Sequence, residues 1–366
     1  MPESISEELK IFRQKLEEFL SESYSIGGED LKSRSLESGY FKMAQPFKNG
    51  GSEAGPLQLT IARETVAAAG FFNMSDVIGP EPGILSGAGE YIERNFLSPM
   101  LNGSKTGCFA YTESDPSNPT IAEWEGDFLV IQGKKSYVSG AQDSDFISVV
   151  LTVNSNNKLN PAGRAVVVVD ISSPGILVGK PFYSIDGSGH CEVAFERTRV
   201  HYRNIIGGVG QGMPRALMNI ERERLELAAT ATGMSIHAAN LTEERLKAPH
   251  RSGGSLGDFE GVRLRYGEMR IQVFAARSVL YRAARIMEVN SDSINEVSAA
   301  KVFCTETAST VVDWAIQLFG GTALVSGHPL ESMYRRVRSM RLAGGASDIG
   351  RLGVSRGIIE FDSGIL

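Results

Sequence analysis

Three glutamates crowd the run Glu221-Arg222-Glu223-Arg224-Leu225-Glu226, and one of them sits in unusual company. Ala216, Ile220, Glu223, Leu227, Thr230 and Met234 recur by threes and fours, so a helix would carry them on one face. That face is otherwise mostly apolar. Burying an unpaired carboxylate is costly, and desolvation lifts its pKa toward neutrality. A carboxylate so placed can act as a general base. The plainer reading is that Glu223 is one charge in a solvated run, neutralised by Arg222 or Arg224. Glu221 and Glu226 are expected to point elsewhere and to pair with arginines on the solvated side.

The remaining reactive residue types offer less. Cys108, Cys191 and Cys304 are far apart and odd in number, so they form neither a disulfide framework nor a metal motif. The five histidines lack ligand spacing, and no metal is expected. With 366 residues, 42% hydrophobic and 22% charged, the chain has the length for two or three domains. Its formal net charge of −6 argues against nucleic acid as a partner. No apolar run is long enough for a membrane span. The polar start MPESISEELK reads as neither a secretory signal nor a transit peptide, which together with the cysteine usage points to a cytoplasmic location.

Three segments with different periods must position any site. Residues 1–105 read as an N-terminal helical domain. Ser4 and Glu7 form a candidate capping box, and Ile5, Leu9, Phe12, Leu16 and Leu20 give one apolar stripe. Helices are expected over Leu57–Ala69 and Ala88–Leu101, with a Gly/Ser/Pro-rich loop at Lys48–Pro56. Residues 106–210 read as a β domain, with strands over Phe128–Ile131, Phe146–Leu151, Ala165–Val169 and Phe195–Ile206. Asn154–Gly163 and Ser184–Gly189 are turn-rich connections. Residues 211–366 return to helical spacing. Met269, Val273, Ala276, Leu280, Ala283 and Met287 share a stripe, and Ala300–Phe319 ends at Gly320-Gly321. The fold class is therefore α+β, with helical, β and helical parts in that order.

Five stretches, in order, resemble the acyl-CoA dehydrogenase superfamily. They are Gly107–Asn118 (GCFAYTESDPSN), Gly133–Gly140 (GKKSYVSG), Phe195–Val200 with Asn204–Gly208, Gln317–Gly321 (QLFGG) and Arg341–Arg356 (RLAGGASDIGRLGVSR). The resemblance implies a middle domain of β-barrel or orthogonal-sheet type and a C-terminal four-helix bundle. It also implies FAD as cofactor and a homotetramer or homodimer. By match to the family, Thr112 would hydrogen-bond the flavin ring, and Tyr137 and Ser139 would touch it. Ser117 would lie near the pyrophosphate or the thioester. Gln317, Gly321, Ser347 and Asp348 would approach the adenosine end, and Arg224 and Gly344 would line the substrate. Hydroxyls and an aromatic wall suit a flavin, which needs hydrogen bonds and shelter from water. Taken without the resemblance, Thr112, Tyr137 and Ser139 are ordinary strand or turn residues.

The family's usual base is a glutamate in a Tyr-Glu-Gly-Thr segment, and the matching stretch here is Ala343-Gly344-Gly345-Ala346. Gly344 cannot be a base. A smaller branch, including isovaleryl- and long-chain enzymes, carries the glutamate on an earlier helix, where Glu223 matches. Other departures are Tyr137 for tryptophan, Ser139 for threonine and Ala346 for threonine. In Pro249–Phe259, Ser252 replaces phenylalanine and leaves Arg251 as the plausible contact to a neighbouring subunit's FAD. The expected activity is α,β-dehydrogenation of an acyl thioester held by CoA or a carrier protein, with electron-transfer flavoprotein or oxygen as acceptor. A flavin-dependent oxygenase or oxidase, or a non-catalytic subunit of a heteromeric dehydrogenase, are the alternatives.

Overall fold

The computed structural model describes residues 5–155, 160–250, 253–289, 292–364 and 366. Its first helices are α1 (Glu7–Glu22), α2 (Gly28–Glu37) and α3 (Pro56–Ala68). The Ser6 hydroxyl accepts from the Leu9 amide and caps α1. The cap is thus Ser6 rather than Ser4, which lies outside the described residues.

The expected helix Ala88–Leu101 is broken into α4 (Glu90–Ile92), a π turn (Glu93–Leu97) and α5 (Ser98–Leu101). Pro99 is the cause. A proline inside a helix lacks the amide that the carbonyl four residues earlier needs, and its ring collides with that carbonyl. The carbonyl is that of Asn95, and Lys105 Nζ donates to it instead at 3.1 Å. The Lys105 ammonium also stands 5.0 Å from the Phe96 ring centre.

One eight-stranded sheet follows: β1 (Gly107–Ala110), β2 (Ile121–Glu125), β3 (Phe128–Ser139), β4 (Phe146–Asn154), β5 (Gly163–Asp170), β6 (Ile176–Val178), β7 (Phe182–Tyr183) and β8 (Gly189–His201). β4 pairs in parallel with β1 and β2 and antiparallel with β5. Phe146–Leu151 are all buried, as a strand covered on both faces requires, and Ser148 is the one polar residue among them. β2 and β3 form a hairpin, and β3 continues onto β8 with register shifts between Ile131 and Gly133 and between Lys135 and Val138. The second shift carries Tyr137 at φ 54°, a left-handed backbone that is rare for a bulky residue. Strained positions of this kind persist only where the surroundings enforce them.

The last helices are α6 (Gly212–Lys247), α7 (Glu260–Val289), α8 (Ile294–Phe319), α9 (Pro329–Met340) and α10 (Ser347–Phe361). α7 buries Met269, Val273, Ala276, Leu280 and Ala283, the stripe its spacing predicts. α8 stops at Gly320, whose φ of 76° is open to glycine. The helical, β, helical order and the α+β class read from the changing periods hold. By compactness the chain forms two units, Met1–Gly79 with Glu221–Leu366, and Pro80–Ile220. In the first, Leu57 and Ile61 of α3 share a core with Leu225, Ala228, Leu280 and Val297. In the second, Leu129, Ile131, Val149, Val167, Val193 and Phe195 form the sheet core. Among the described residues no helix is long and apolar enough to cross a membrane.

A buried ion pair fixes the second half of β3 against the segment before β2. Lys135 is fully buried, and its Nζ donates to Glu113 Oε1 at 2.6 Å and to the Tyr111 carbonyl at 3.1 Å. Glu113 Oε2 accepts from the Thr120 amide and hydroxyl at 3.1 and 2.8 Å. Thr112 sits inside this frame, its carbonyl accepting from the Ser136 amide at 2.9 Å. Removing one partner of a buried pair strands the other charge and costs about 3–5 kcal/mol, whereas replacing both with apolar groups costs far less. Lys135→Met should therefore lower stability by about that amount, and Lys135→Met with Glu113→Leu should recover most of it. Urea unfolding followed by Trp124 fluorescence measures both.

Candidate active site

The acids of α6 separate by their place around the helix. Glu221 lies on the stripe of Leu225 and Ala228, both in the core, and is itself buried. Its carboxylate accepts from the Ser293 hydroxyl. Burial, the largest effect, pushes its pKa above the carboxylate range against that hydrogen bond. This corrects the expectation that Glu221 faces solvent: positions four and seven residues apart share a face, and here that face is the packed one. Glu226 does pair with an arginine, Arg63, at 3.4 Å.

Glu223 is half-buried. Desolvation raises its pKa, and the negative charge of Glu226 adds to the rise. Arg224, Lys301 and the Gly344 backbone amide pull the other way without cancelling it. Gly344 packs directly beside it. A Cβ built on Gly344 would stand 3.1 Å from Leu227 Cδ1, 3.4 Å from Arg224 Cγ and 3.8 Å from Glu223 Cδ. The two positions weighed for the base are therefore in contact, and a side chain on residue 344 would crowd Leu227 and Arg224.

The turn that carries Gly344 joins α9 to α10 and is held by two cations. Arg224 Nε donates to the Gly344 carbonyl at 2.8 Å, and its Nη1 donates to Ser298 Oγ at 2.8 Å. Lys301, buried on α8, donates to the Gly345 carbonyl at 2.7 Å and to the Arg341 carbonyl at 3.1 Å. Desolvation first, and then the nearby Arg224, depress the Lys301 pKa to about 8. Gly344 and Gly345 have φ of 61° and 99°, a turn that residues with a Cβ resist. A half-buried carboxylate with a raised pKa, set beside small residues and backbone amides, is equipped to accept a proton.

The β unit presents the other set. Tyr137 is 65% exposed and meets Phe182 edge-on at 5.2 Å between ring centres. Ser139 is exposed, with its Oγ 3.0 Å from His190 Nδ1. Thr112 is exposed. Ser117 is exposed as well, but its hydroxyl and amide are both spent on Asp115 Oδ1, at 2.6 and 2.9 Å. An outward aromatic ring with exposed hydroxyls fits a flat ring ligand such as a flavin, whereas the Ser117 hydroxyl is committed to Asp115.

The C-terminal residues do not gather in one place. Ser347 is buried at the start of α10, with its Oγ 3.4 Å from the Arg341 carbonyl, and Asp348 pairs with Arg351 at 3.0 Å. Gln317 and Gly321 are exposed at the far end of α8. Sixteen residues of helix separate Gln317 from Lys301, roughly 24 Å at 1.5 Å per residue. Within one chain these two pairs lie apart. Arg251 lies outside the described residues. Sequence reasoning missed Lys301, His190, and the role of Lys135 and Glu113. Lys301 had a signal, a lone lysine in step with Cys304, Ala308 and Val311 on an apolar stripe.

A family model described as acyl-CoA dehydrogenase, C-terminal domain, matches residues 210–359. The 3-(aryl)acrylate reductase of Clostridium sporogenes is 25% identical over 344 residues, covering 91% of this chain and 90% of that protein. Subunit CarC of the caffeyl-CoA reductase-Etf complex of Acetobacterium woodii is 24% identical, with 89% of each chain covered. The crystal structure of the prolyl acyl carrier protein oxidase AnaB matches with a TM-score of 0.85 at 20% identity, over 97% of this chain and 100% of that one, a likeness of fold. In sequence the chain is thus similar to the acyl-CoA dehydrogenases, with residues 210–359 matching their C-terminal domain.

Proposed function

We propose that this protein transfers a proton and a hydride at the α and β carbons of an acyl thioester, with Glu223 as the base. The observation that carries the reading is the pairing of a half-buried Glu223, its pKa raised by desolvation, with Gly344 packed against it. Glu223 takes the α-proton. Bound FAD supplies the acceptor for the β-hydride. Arg224 and Lys301 hold the Gly344–Gly345 turn in place, so that its amides stay fixed beside the carboxylate. Thr112, Tyr137 and Ser139 bind the flavin ring, and Ser117, Gln317, Gly321, Ser347, Asp348 and Arg251 serve the rest of the cofactor or a neighbouring subunit's copy.

The same transfers can run in either direction, and two relatives are named as reductases. The electron partner then sets the direction. CarC is part of an Etf complex, which supports electron-transfer flavoprotein as partner. The fold of a carrier-protein oxidase supports a second reading, a carrier-bound thioester with oxygen as acceptor. Leu264, Ile271 and Phe274 project from one face of α7, each more than 60% exposed. Apolar patches of this kind mark protein contacts and support a homodimer or homotetramer.

Anaerobic flavin bleaching by a panel of acyl thioesters tests the assignment. Wild-type protein should bleach with at least one CoA or carrier-bound thioester. Glu223→Gln should slow that bleaching roughly a hundred- to ten-thousandfold, the range of a general base, while leaving FAD bound. Equal rates in both proteins would remove Glu223 from the reaction. The base must be ionised, so the bleaching rate should fall as pH drops through the Glu223 pKa, at a pH above the ordinary carboxylate range. A profile flat down to pH 4 would contradict the raised pKa. Gly344→Glu should not rescue Glu223→Gln, because the added side chain meets Leu227 and a φ of 61°. Full rescue would show that the turn accommodates a base after all.

A further inference from the structure

His190 lies in a hydrogen-bonded chain that the reaction above does not use. It stands near the start of β8, in contact with the Tyr137 and Phe182 rings, at 6.2 and 5.8 Å between centres. Its Nδ1 is 3.0 Å from Ser139 Oγ. Its Nε2 is 2.9 Å from Ser184 Oγ and 3.2 Å from Ser188 Oγ. Ser188 Oγ in turn donates to Asp186 Oδ1 at 2.7 Å.

The direction of each bond follows from counting hydrogens. A serine hydroxyl has one hydrogen and two lone pairs. The Ser188 hydrogen goes to the Asp186 carboxylate, which can only accept. Ser188 therefore turns only lone pairs toward Nε2, which a bare Nε2 would repel, so the ring proton is placed on Nε2 and shared between Ser188 Oγ and the nearer Ser184 Oγ, whose own hydrogen then turns away. In the neutral ring Nδ1 then carries a lone pair, and the nearby Ser139 hydroxyl donates to it. Ser139 is left with lone pairs alone to offer outward.

We infer that His190 is a positioning residue that turns Ser139 into a hydrogen-bond acceptor toward the flavin. This rests on the proposed contact of Ser139 with the flavin ring. The chemical consequence is specific. Oxidised flavin has a bare N5, which wants a donor, whereas two-electron-reduced flavin has an N5–H, which wants an acceptor. A Ser139 that can only accept favours the reduced form. Asp186, the ionised group at the far end of the chain, keeps the orientation by claiming the Ser188 hydrogen. Tyr137, the other titratable side chain packed on the ring, meets it through ring contact.

Two measurements test this. The first is the nitrogen-15 spectrum of His190 in the intact protein, above the pH at which imidazole is charged. It should show the proton on Nε2, with the Nδ1 resonance moving in Ser139→Ala; a proton on Nδ1 would overturn the inference whether or not flavin is bound. The second is the reduction potential of bound FAD in His190→Phe and His190→Asn. His190→Phe frees the Ser139 hydrogen and should weaken binding of reduced FAD about tenfold relative to oxidised FAD, the size of one net hydrogen bond. The potential would then move to more negative values. In His190→Asn the side-chain oxygen can take the place of Nδ1 and should restore the wild-type potential. An unchanged potential in His190→Phe, with FAD still bound, would overturn the inference and leave the flavin reading intact. Wild-type protein that refuses FAD would overturn both.

Discussion

A buried lysine, a half-buried arginine and one turn organise the helical unit. Arg224 and Lys301 reach from α6 and α8 to the carbonyls of Gly344, Gly345 and Arg341, where α9 has ended and α10 has yet to begin. The Arg341 carbonyl closes α9 and needs a partner, and Lys301 beside it gains from the helix dipole. The carbonyls in return make burial of the lysine tolerable. Glu223 sits within this arrangement and shares its field, and its raised pKa is the balance between desolvation and the two cations. Loss of either cation would loosen the turn and change the charge felt by the carboxylate at once.

The β unit uses a similar device for a different end. Lys135 and Glu113 neutralise each other inside the sheet and tie the segment of Thr112 to β3. Next to that rigid frame β3 shifts register, and Tyr137 and Ser139 come out on exposed positions. A fixed scaffold that offers hydroxyls and an aromatic ring without net charge suits a cofactor whose own charge changes during turnover.

Much of this was legible in the residues. The stripe through Ala216, Glu223 and Thr230 marked one acid as different, and the β-branched run Phe146–Leu151 marked a strand. The stripe of α7 and its neighbour's stop at Gly320 followed from spacing and glycine alone. What spacing could not show was which polar residues meet across elements. Glu221 reads as solvated in its own helix, and only the docking of Ser293 and the shared core of Leu225 and Ala228 make it buried. His190 carries no motif, since its partners Ser139 and Ser184 come from outside its strand. The break at Pro99 was visible as a proline, but its repair by Lys105 depends on how the following loop returns.

The account turns on Glu223 as the group that takes the α-proton. A phenylacetyl thioester has α-hydrogens but no hydrogen on its β-carbon that could leave as hydride, so it isolates the proton step. With this compound in deuterated buffer, FAD-loaded wild-type protein should wash deuterium into the α-position, and mass spectrometry reads the rate. Glu223→Gln should slow the exchange at least about a hundredfold. Exchange at the wild-type rate in that variant would contradict the account, because another group would then be the base.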